Sequence, residues 1–243
     1  MVGIFDYTVI LTYISALSAG VGIFVSIGFK NPHPYWAILC LMICGLCDTF
    51  DGRVARTKKN RTEMHKNFGI QIDSLSDLLA FGVLPACIGF AIYNCKVDKQ
   101  SELLKFDWGK GVADTANHLQ NVHVSIIVAI GALFILAALI RLAYFNVTCD
   151  ETQAIGQSRQ KYYYGLPVTT TAIIFPTFML ANYMVPYDLS FIYYFLLIIV
   201  GVLFVSKFKL VKPKMVWIYI LVGIGALEFI AVFIARWIKT IAF

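Results

Sequence analysis

Residues 48–56 read DTFDGRVAR and residues 69–77 read GIQIDSLSD, so that each stretch sets two aspartates in an apolar segment. The first stretch closes an apolar run that starts near residue 34, and the second opens a run that ends near residue 94. A charged group at membrane depth costs at least about 2.5 kcal/mol on insertion scales, so such a cluster indicates a functional site. The whole chain of 243 residues fits a membrane setting, because 59% of its residues are hydrophobic and only 14% are charged.

Apolar runs of membrane-spanning length recur along the chain. A hydrocarbon core roughly 30 Å thick needs about 20 helical residues, and the runs lack the alternating polarity of barrel strands. The predicted spans are 8–29, 34–56, 69–94, 122–146, 164–184, 189–206 and 215–238. The predicted fold class is therefore all-α, a polytopic transmembrane helical bundle that forms a single domain over 1–243.

The basic residues predict how the bundle is oriented. They are concentrated in the loop between the second and third spans (Lys58, Lys59, Arg61, Lys66) and between the sixth and seventh (Lys207, Lys209, Lys212, Lys214). Lys and Arg near short loops mark the cytoplasmic side, so the polar loops 57–67 and 147–163 are predicted inside and 95–121 outside. The aspartates then lie near the cytoplasmic face of the cell membrane. Arg236 and Lys239 would lie outside, which leaves an interfacial last helix as an alternative.

The aspartates share helical faces with small residues. At about 100° per residue, one face of the second span carries Asp48, Asp51, Gly52 and Ala55, and one face of the third carries Gly69, Asp73 and Asp77. If the two faces meet, four carboxylates repel one another unless cations neutralise them. All-oxygen ligation favours a hard divalent ion such as Mg²⁺, Mn²⁺ or Ca²⁺, and shared carboxylates could bridge two ions.

The small residues and the nearby arginine suit a phosphate-containing substrate. Gly52 and Ala55 would let a flat nucleotide approach the helix backbone, although close helix packing explains small residues equally well. Arg56 could clamp a phosphate or pair with an acid. A divalent-cation transporter is an alternative of a different class, but a pathway would need polar residues deeper in the membrane.

The pattern D-x2-D-G-x2-A-R followed by G-x3-D-x3-D resembles the signature of the CDP-alcohol phosphatidyltransferase family. The connection 57–68 is longer than the family's usual one. The resemblance implies a core of six helices, here with one additional C-terminal helix, and a homodimer. It implies two ions, Mg²⁺ or Mn²⁺, held by Asp48, Asp51, Asp73 and Asp77, with Asp77 also the catalytic base. It implies that CDP-diacylglycerol is bound by Asp48, Gly52, Ala55, Arg56 and Gly69.

Further stretches are similar to integral membrane phosphatidylserine synthases. They are DSLSD at 73–77, FGVLPA at 81–86, RLAYFN at 141–146 and GLPVTT at 165–170. The implied reaction transfers a phosphatidyl group to L-serine in the lipid bilayer and releases CMP, without a nucleic-acid partner. Glycerol-3-phosphate, inositol and inositol phosphate remain alternative acceptors. Arg141, Arg159 and Lys161 are the candidates for binding the acceptor, and Arg141 has a second interpretation as a residue that extends to the lipid headgroups.

Overall fold

The computed structural model describes residues 3–28, 32–58, 62–97, 122–154, 162–184 and 189–211, together with the single positions 223, 225, 227, 230 and 234. The helices are α1 (Ile10–Ile27), α2 (Pro34–Thr57), α3 (Glu63–Asp77), α4 (Leu84–Val97), α5 (Val124–Ala154), α6 (Thr171–Met184) and α7 (Ser190–Val205). A π-helical segment, Leu78–Val83, joins α3 to α4 without a break. The described part of the chain is therefore built from six helical rods, which confirms the helical fold class.

Three of the rods are long and apolar enough to cross a membrane. They are Tyr7–Ile27, Glu63–Cys95 and Val124–Thr148, and two shorter apolar helices cover Val168–Asn182 and Ser190–Val205. These helices mark an integral membrane protein. The sixth predicted span, 189–206, corresponds to α7, a helix of 16 residues. This helix is shorter than the roughly 20 residues that cross a hydrocarbon core. The seventh, 215–238, lies largely outside the described residues.

The fifth predicted span begins later than its apolar run. Gly165 has a φ of +73°, and Pro167 is extended, so the helix begins only after the 3₁₀ turn Val168–Thr170. A Cβ at position 165 would lie 2.9 Å from the Ser206 carbonyl oxygen. Both the positive φ and this close approach require glycine.

Two predicted loops are partly helical. The helix α3 begins at Glu63, inside the predicted loop 57–67, because the Thr62 hydroxyl accepts the His65 N–H at 3.3 Å and caps it. Lys66 also forms an ion pair with Glu63 at 3.0 Å in the first turn. The helix α5 continues to Ala154, well into the predicted loop 147–163. The loop 95–121 lies outside the described residues after Val97.

The structure contains a short antiparallel pair of strands that the sequence did not predict. The strands β1 (Tyr162–Tyr164) and β2 (Lys209–Val211) pair with Tyr163 opposite Leu210. Next to them, the Gly165 N–H donates to the Phe208 carbonyl at 2.8 Å. The ladder therefore joins the segment before α6 to the segment after α7.

The packing of α2 against α1 and α6 places its acidic stretch inside the bundle. The helix α2 packs along α1, and a Cβ at Gly45 would lie 2.5 Å from the Cβ of Ala172 on α6. Elsewhere in the bundle, the Tyr193 hydroxyl donates to the Pro85 carbonyl at 2.8 Å and joins α7 to α4. The acidic end of α2 is thus held by neighbours on two sides.

Candidate metal centre and active site

Three carboxylates from two helices converge in the interior. One carboxylate oxygen from each of Asp48 on α2 and Asp73 and Asp77 on α3 lies within 4.8 Å of the others. All three residues are half-buried. So many like charges in a membrane-embedded site repel one another unless a cation neutralises them. The donors are carboxylate oxygens, which suit Mg²⁺ or Mn²⁺, so this set fits the predicted ions.

Asp51 stands beside this triple without being part of it. It is only 9% exposed, and it follows Asp48 by three residues, just under one turn of α2. Residues three apart lie on nearly the same face of a helix, so Asp51 lies on the face of α2 that carries Asp48. Asp51 is therefore placed to complete the set from the α2 side.

The predicted nucleotide-binding positions lie on the same helices. Gly52 and Ala55 follow Asp51 on α2, Gly69 precedes Asp73 on α3, and all three are half-buried. The side chain of Arg56 lies outside the described part of the structure, as do Arg159 and Lys161. The structure thus places the small residues near the acids and leaves the three basic side chains undescribed.

The end of α2 is tied to the N-terminal segment. Lys58 forms an ion pair with Asp6, and the Thr57 hydroxyl donates to the Tyr7 hydroxyl at 3.3 Å. The hydrogen bond from Lys58 holds the pKa of the Asp6 carboxyl below its ordinary value. These contacts secure the helix end that carries Arg56.

Two serines between the aspartates of α3 attach it to its neighbours, which the sequence did not predict. The Asn146 side-chain amide on α5 donates to the Ser74 hydroxyl at 2.8 Å. The Ser76 hydroxyl donates to the Thr12 carbonyl on α1 at 3.2 Å. The available signal was the pair of serines inside DSLSD, since short polar side chains in an apolar helix often bond to neighbouring helices.

Arg141 lies inside the bundle. It is 6% exposed, its Nε donates to the Leu166 carbonyl at 3.0 Å, and its guanidinium lies 5.8 Å from the Phe145 ring centroid. The Arg141 side chain therefore does not extend towards the lipid headgroups in this structure.

The depth of Arg141 follows from the antiparallel packing of α5 on the α3 rod. Asn146 meets Ser74 at one level, and a Cβ at Gly82 would lie 3.1 Å from Ala138 at a deeper level. Arg141 on α5 and Asp77 on α3 both lie between these two levels. The structure thus brings Arg141 to about the depth of the carboxylates.

Comparison with known proteins agrees with this arrangement. The sequence pattern of the CDP-alcohol phosphatidyltransferases matches residues 7–206. The chain therefore belongs to the CDP-alcohol phosphatidyltransferase family, as the aspartate signature predicted.

Three curated proteins of known name are similar in sequence to this chain. The CDP-diacylglycerol–serine O-phosphatidyltransferase of Saccharomyces cerevisiae is 34% identical over 143 residues, which cover 58% of this chain and 40% of that protein. The archaetidylserine synthase of Methanothermobacter thermautotrophicus is 29% identical over 82% of this chain and 67% of its own length. A CDP-diacylglycerol–serine O-phosphatidyltransferase of Helicobacter pylori is 26% identical over 63% of this chain and 48% of its own. The chain thus spans between two-fifths and two-thirds of the length of these relatives.

Proposed function

We propose that this protein transfers the phosphatidyl group of CDP-diacylglycerol to L-serine, giving phosphatidylserine and CMP. The observation that carries the proposal is the convergence of Asp48, Asp73 and Asp77 within 4.8 Å. Family membership supports the donor substrate, and the named activities of the yeast and Helicobacter relatives support the serine acceptor. Membership also argues against the cation-transporter alternative.

Asp77 is the proposed catalytic base. It takes the proton of the serine hydroxyl while that oxygen attacks the phosphorus of the phosphatidyl group. The bond from this phosphorus to the CMP oxygen breaks, and CMP leaves with the electron pair. Divalent ions bound at the site would offset the pyrophosphate charge and lower the pKa of the attacking hydroxyl. Asp48, Asp51, Asp73 and Asp77 would hold those ions, which we expect to number two.

The residues next to the carboxylates would bind the donor. Gly52, Ala55 and Gly69 carry little or no side chain, so the CDP group would approach the backbones of α2 and α3 closely. Arg56 would pair with a phosphate oxygen, because a guanidinium forms charge-assisted hydrogen bonds to phosphate. Together these positions would hold the pyrophosphate against the aspartates.

Arg141 is the proposed contact for the serine carboxylate. Its Nε is occupied by the Leu166 carbonyl at 3.0 Å, and this hydrogen bond orients the planar guanidinium. A guanidinium forms paired hydrogen bonds with a carboxylate and would aim the serine hydroxyl towards Asp77. Arg159 and Lys161 would assist from the segment that precedes α6.

The active site would face the cytoplasm, because basic residues are concentrated in 57–67 and 207–214. The protein would act in the cell membrane as a homodimer, which the family resemblance implies.

The experiment supplies the purified protein with CDP-diacylglycerol and Mn²⁺ and offers one acceptor at a time. CMP release is measured with L-serine, glycerol-3-phosphate, inositol and inositol phosphate. We expect release with serine alone. Efficient release with another acceptor would refute the serine assignment while preserving the class of reaction, and no release with any acceptor would refute both.

A further inference from the structure

The aspartates of α3 are bracketed by polar attachments to two different helices. Ser74 accepts a hydrogen bond from Asn146 on α5 at 2.8 Å and donates to the Ile70 carbonyl at 3.0 Å. Ser76 donates to the Thr12 carbonyl on α1 at 3.2 Å. The attachments occupy two of the three positions between Asp73 and Asp77.

The angular positions of these residues around α3 show that the two attachments restrict rotation of the helix. Asp73 and Asp77 differ by about 40° around the helix axis, so they share a face. Ser74 lies about 60–100° from them on one side, and Ser76 lies about 60–100° from them on the other. Hydrogen bonds on both sides of the acidic face resist rotation of α3 about its own axis in either direction.

A small rotation would matter for metal binding. A carboxylate lies about 5 Å from the helix axis, so a rotation of about 10° displaces it by about 1 Å. Metal–ligand distances tolerate deviations of only about 0.2 Å. The site therefore depends on holding the rotation of α3 closely.

Apolar packing around α3 is incomplete. Leu75 is 58% exposed and Met64 is 75% exposed, so these side chains do not lock the helix against its neighbours. The π segment that begins at Leu78 also interrupts the regular α-helical register directly after Asp77. The polar attachments on α3 itself therefore contribute to fixing its rotation.

We infer that Asn146 is a positioning residue that acts through Ser74 to hold Asp73 and Asp77 in the geometry that binds the divalent ion. Asn146 itself does not bind the ion in this account. The inference rests on the proposed function, because it takes the carboxylate cluster as the metal site.

The test is Mn²⁺ binding to the purified protein without substrate, measured from the electron paramagnetic resonance signal of free Mn²⁺. Asn146→Ala and Ser74→Ala should each weaken binding by about three- to fifteenfold, the range for one interhelical hydrogen bond in a membrane protein. The double variant should bind no more weakly than either single variant, because both remove the same link. Ser74→Thr, which keeps the hydroxyl, should bind Mn²⁺ like the parent protein.

Val147→Ala is the matched control, since Val147 is adjacent to Asn146 and 59% exposed, and it should leave Mn²⁺ binding unchanged. Parent-like binding in Asn146→Ala, or additive losses in the double variant, would overturn the positioning role alone. An effect of Asn146→Ala confined to the serine KM would also overturn it. If the parent protein does not bind Mn²⁺, the metal site of the proposed function fails and this inference fails with it.

Discussion

A carboxylate oxygen of Asp48 on α2 lies within 4.8 Å of a carboxylate oxygen of Asp77 on α3. The two groups come from different helices, so an ion bound between them would join those helices. Without an ion, the same groups repel each other and destabilise the folded bundle. Metal binding and stability should therefore be linked.

We predict that Mn²⁺ at about 100 times its dissociation constant stabilises the purified protein by about 2.7 kcal/mol, seen as a higher midpoint of thermal unfolding. Asp48→Asn, Asp51→Asn and Asp73→Asn should each lose most of this Mn²⁺-dependent increase and also weaken binding of CDP-diacylglycerol. Glu63→Gln is the control, because Glu63 pairs with Lys66 at the exposed start of α3. If Asp51→Asn bound metal and CDP-diacylglycerol as tightly as the parent, the proposed ligand set would be wrong.

The base assignment predicts a different result for Asp77→Asn. Losing a general base lowers the rate by about 10²–10⁴-fold, while Asp48, Asp51 and Asp73 should still retain most of the CDP-diacylglycerol affinity. Turnover and donor binding are measured separately on the same preparation. Turnover at the parent rate would exclude Asp77 as the base.

Arg141→Ala should act on the acceptor. We expect the KM for serine to rise at least about tenfold, since a hydrogen bond to a charged group contributes about 1.5–3 kcal/mol, with little change in CDP-diacylglycerol binding. Lys207→Ala, at an exposed position after α7, should leave the serine KM as it is. Unchanged serine kinetics in Arg141→Ala would remove this residue from the acceptor site.

Gly165→Ala should destabilise the protein by about 1–3 kcal/mol, because alanine would be strained at a φ of +73°. Its Cβ would also meet the Ser206 carbonyl oxygen at 2.9 Å. Gly20→Ala is the matched control in α1, where a Cβ meets no atom within 4 Å, and it should be neutral or stabilising by up to about 1 kcal/mol. Equal unfolding midpoints for the two variants would show that Gly165 does not need its glycine conformation.

The sequence predicted the helical class and the assignment of the aspartates to one face of each helix because both depend on local periodicity. Apolar runs mark helices, and Asp48 and Asp73 could be placed on faces by counting residues. The start of α3 at Glu63 was missed because a capped, charged first turn looks like a loop when helices are sought by apolarity alone.

Other features depend on partners distant in the chain. The pairing of Tyr163 with Leu210 joins segments on either side of α6 and α7, and no local pattern marks either strand. The link from Asn146 to Ser74 likewise needs the packing of α5 on α3. The π segment after Asp77 changes the helical register, and the sequence pattern of apolar residues does not predict such a change.

We propose that the aspartate cluster carries out metal-dependent transfer of the phosphatidyl group to serine. The experiment follows isotopically labelled L-serine into phosphatidylserine, with CMP quantified in the same reaction and with the divalent ion removed by EDTA or restored as Mn²⁺. We predict equal amounts of labelled lipid and CMP from the parent protein with Mn²⁺, almost none after EDTA, and almost none from Asp77→Asn with Mn²⁺. Labelled phosphatidylserine formed at the parent rate after EDTA treatment would show that the transfer needs no divalent ion, and its formation at that rate by Asp77→Asn would show that Asp77 is not the base.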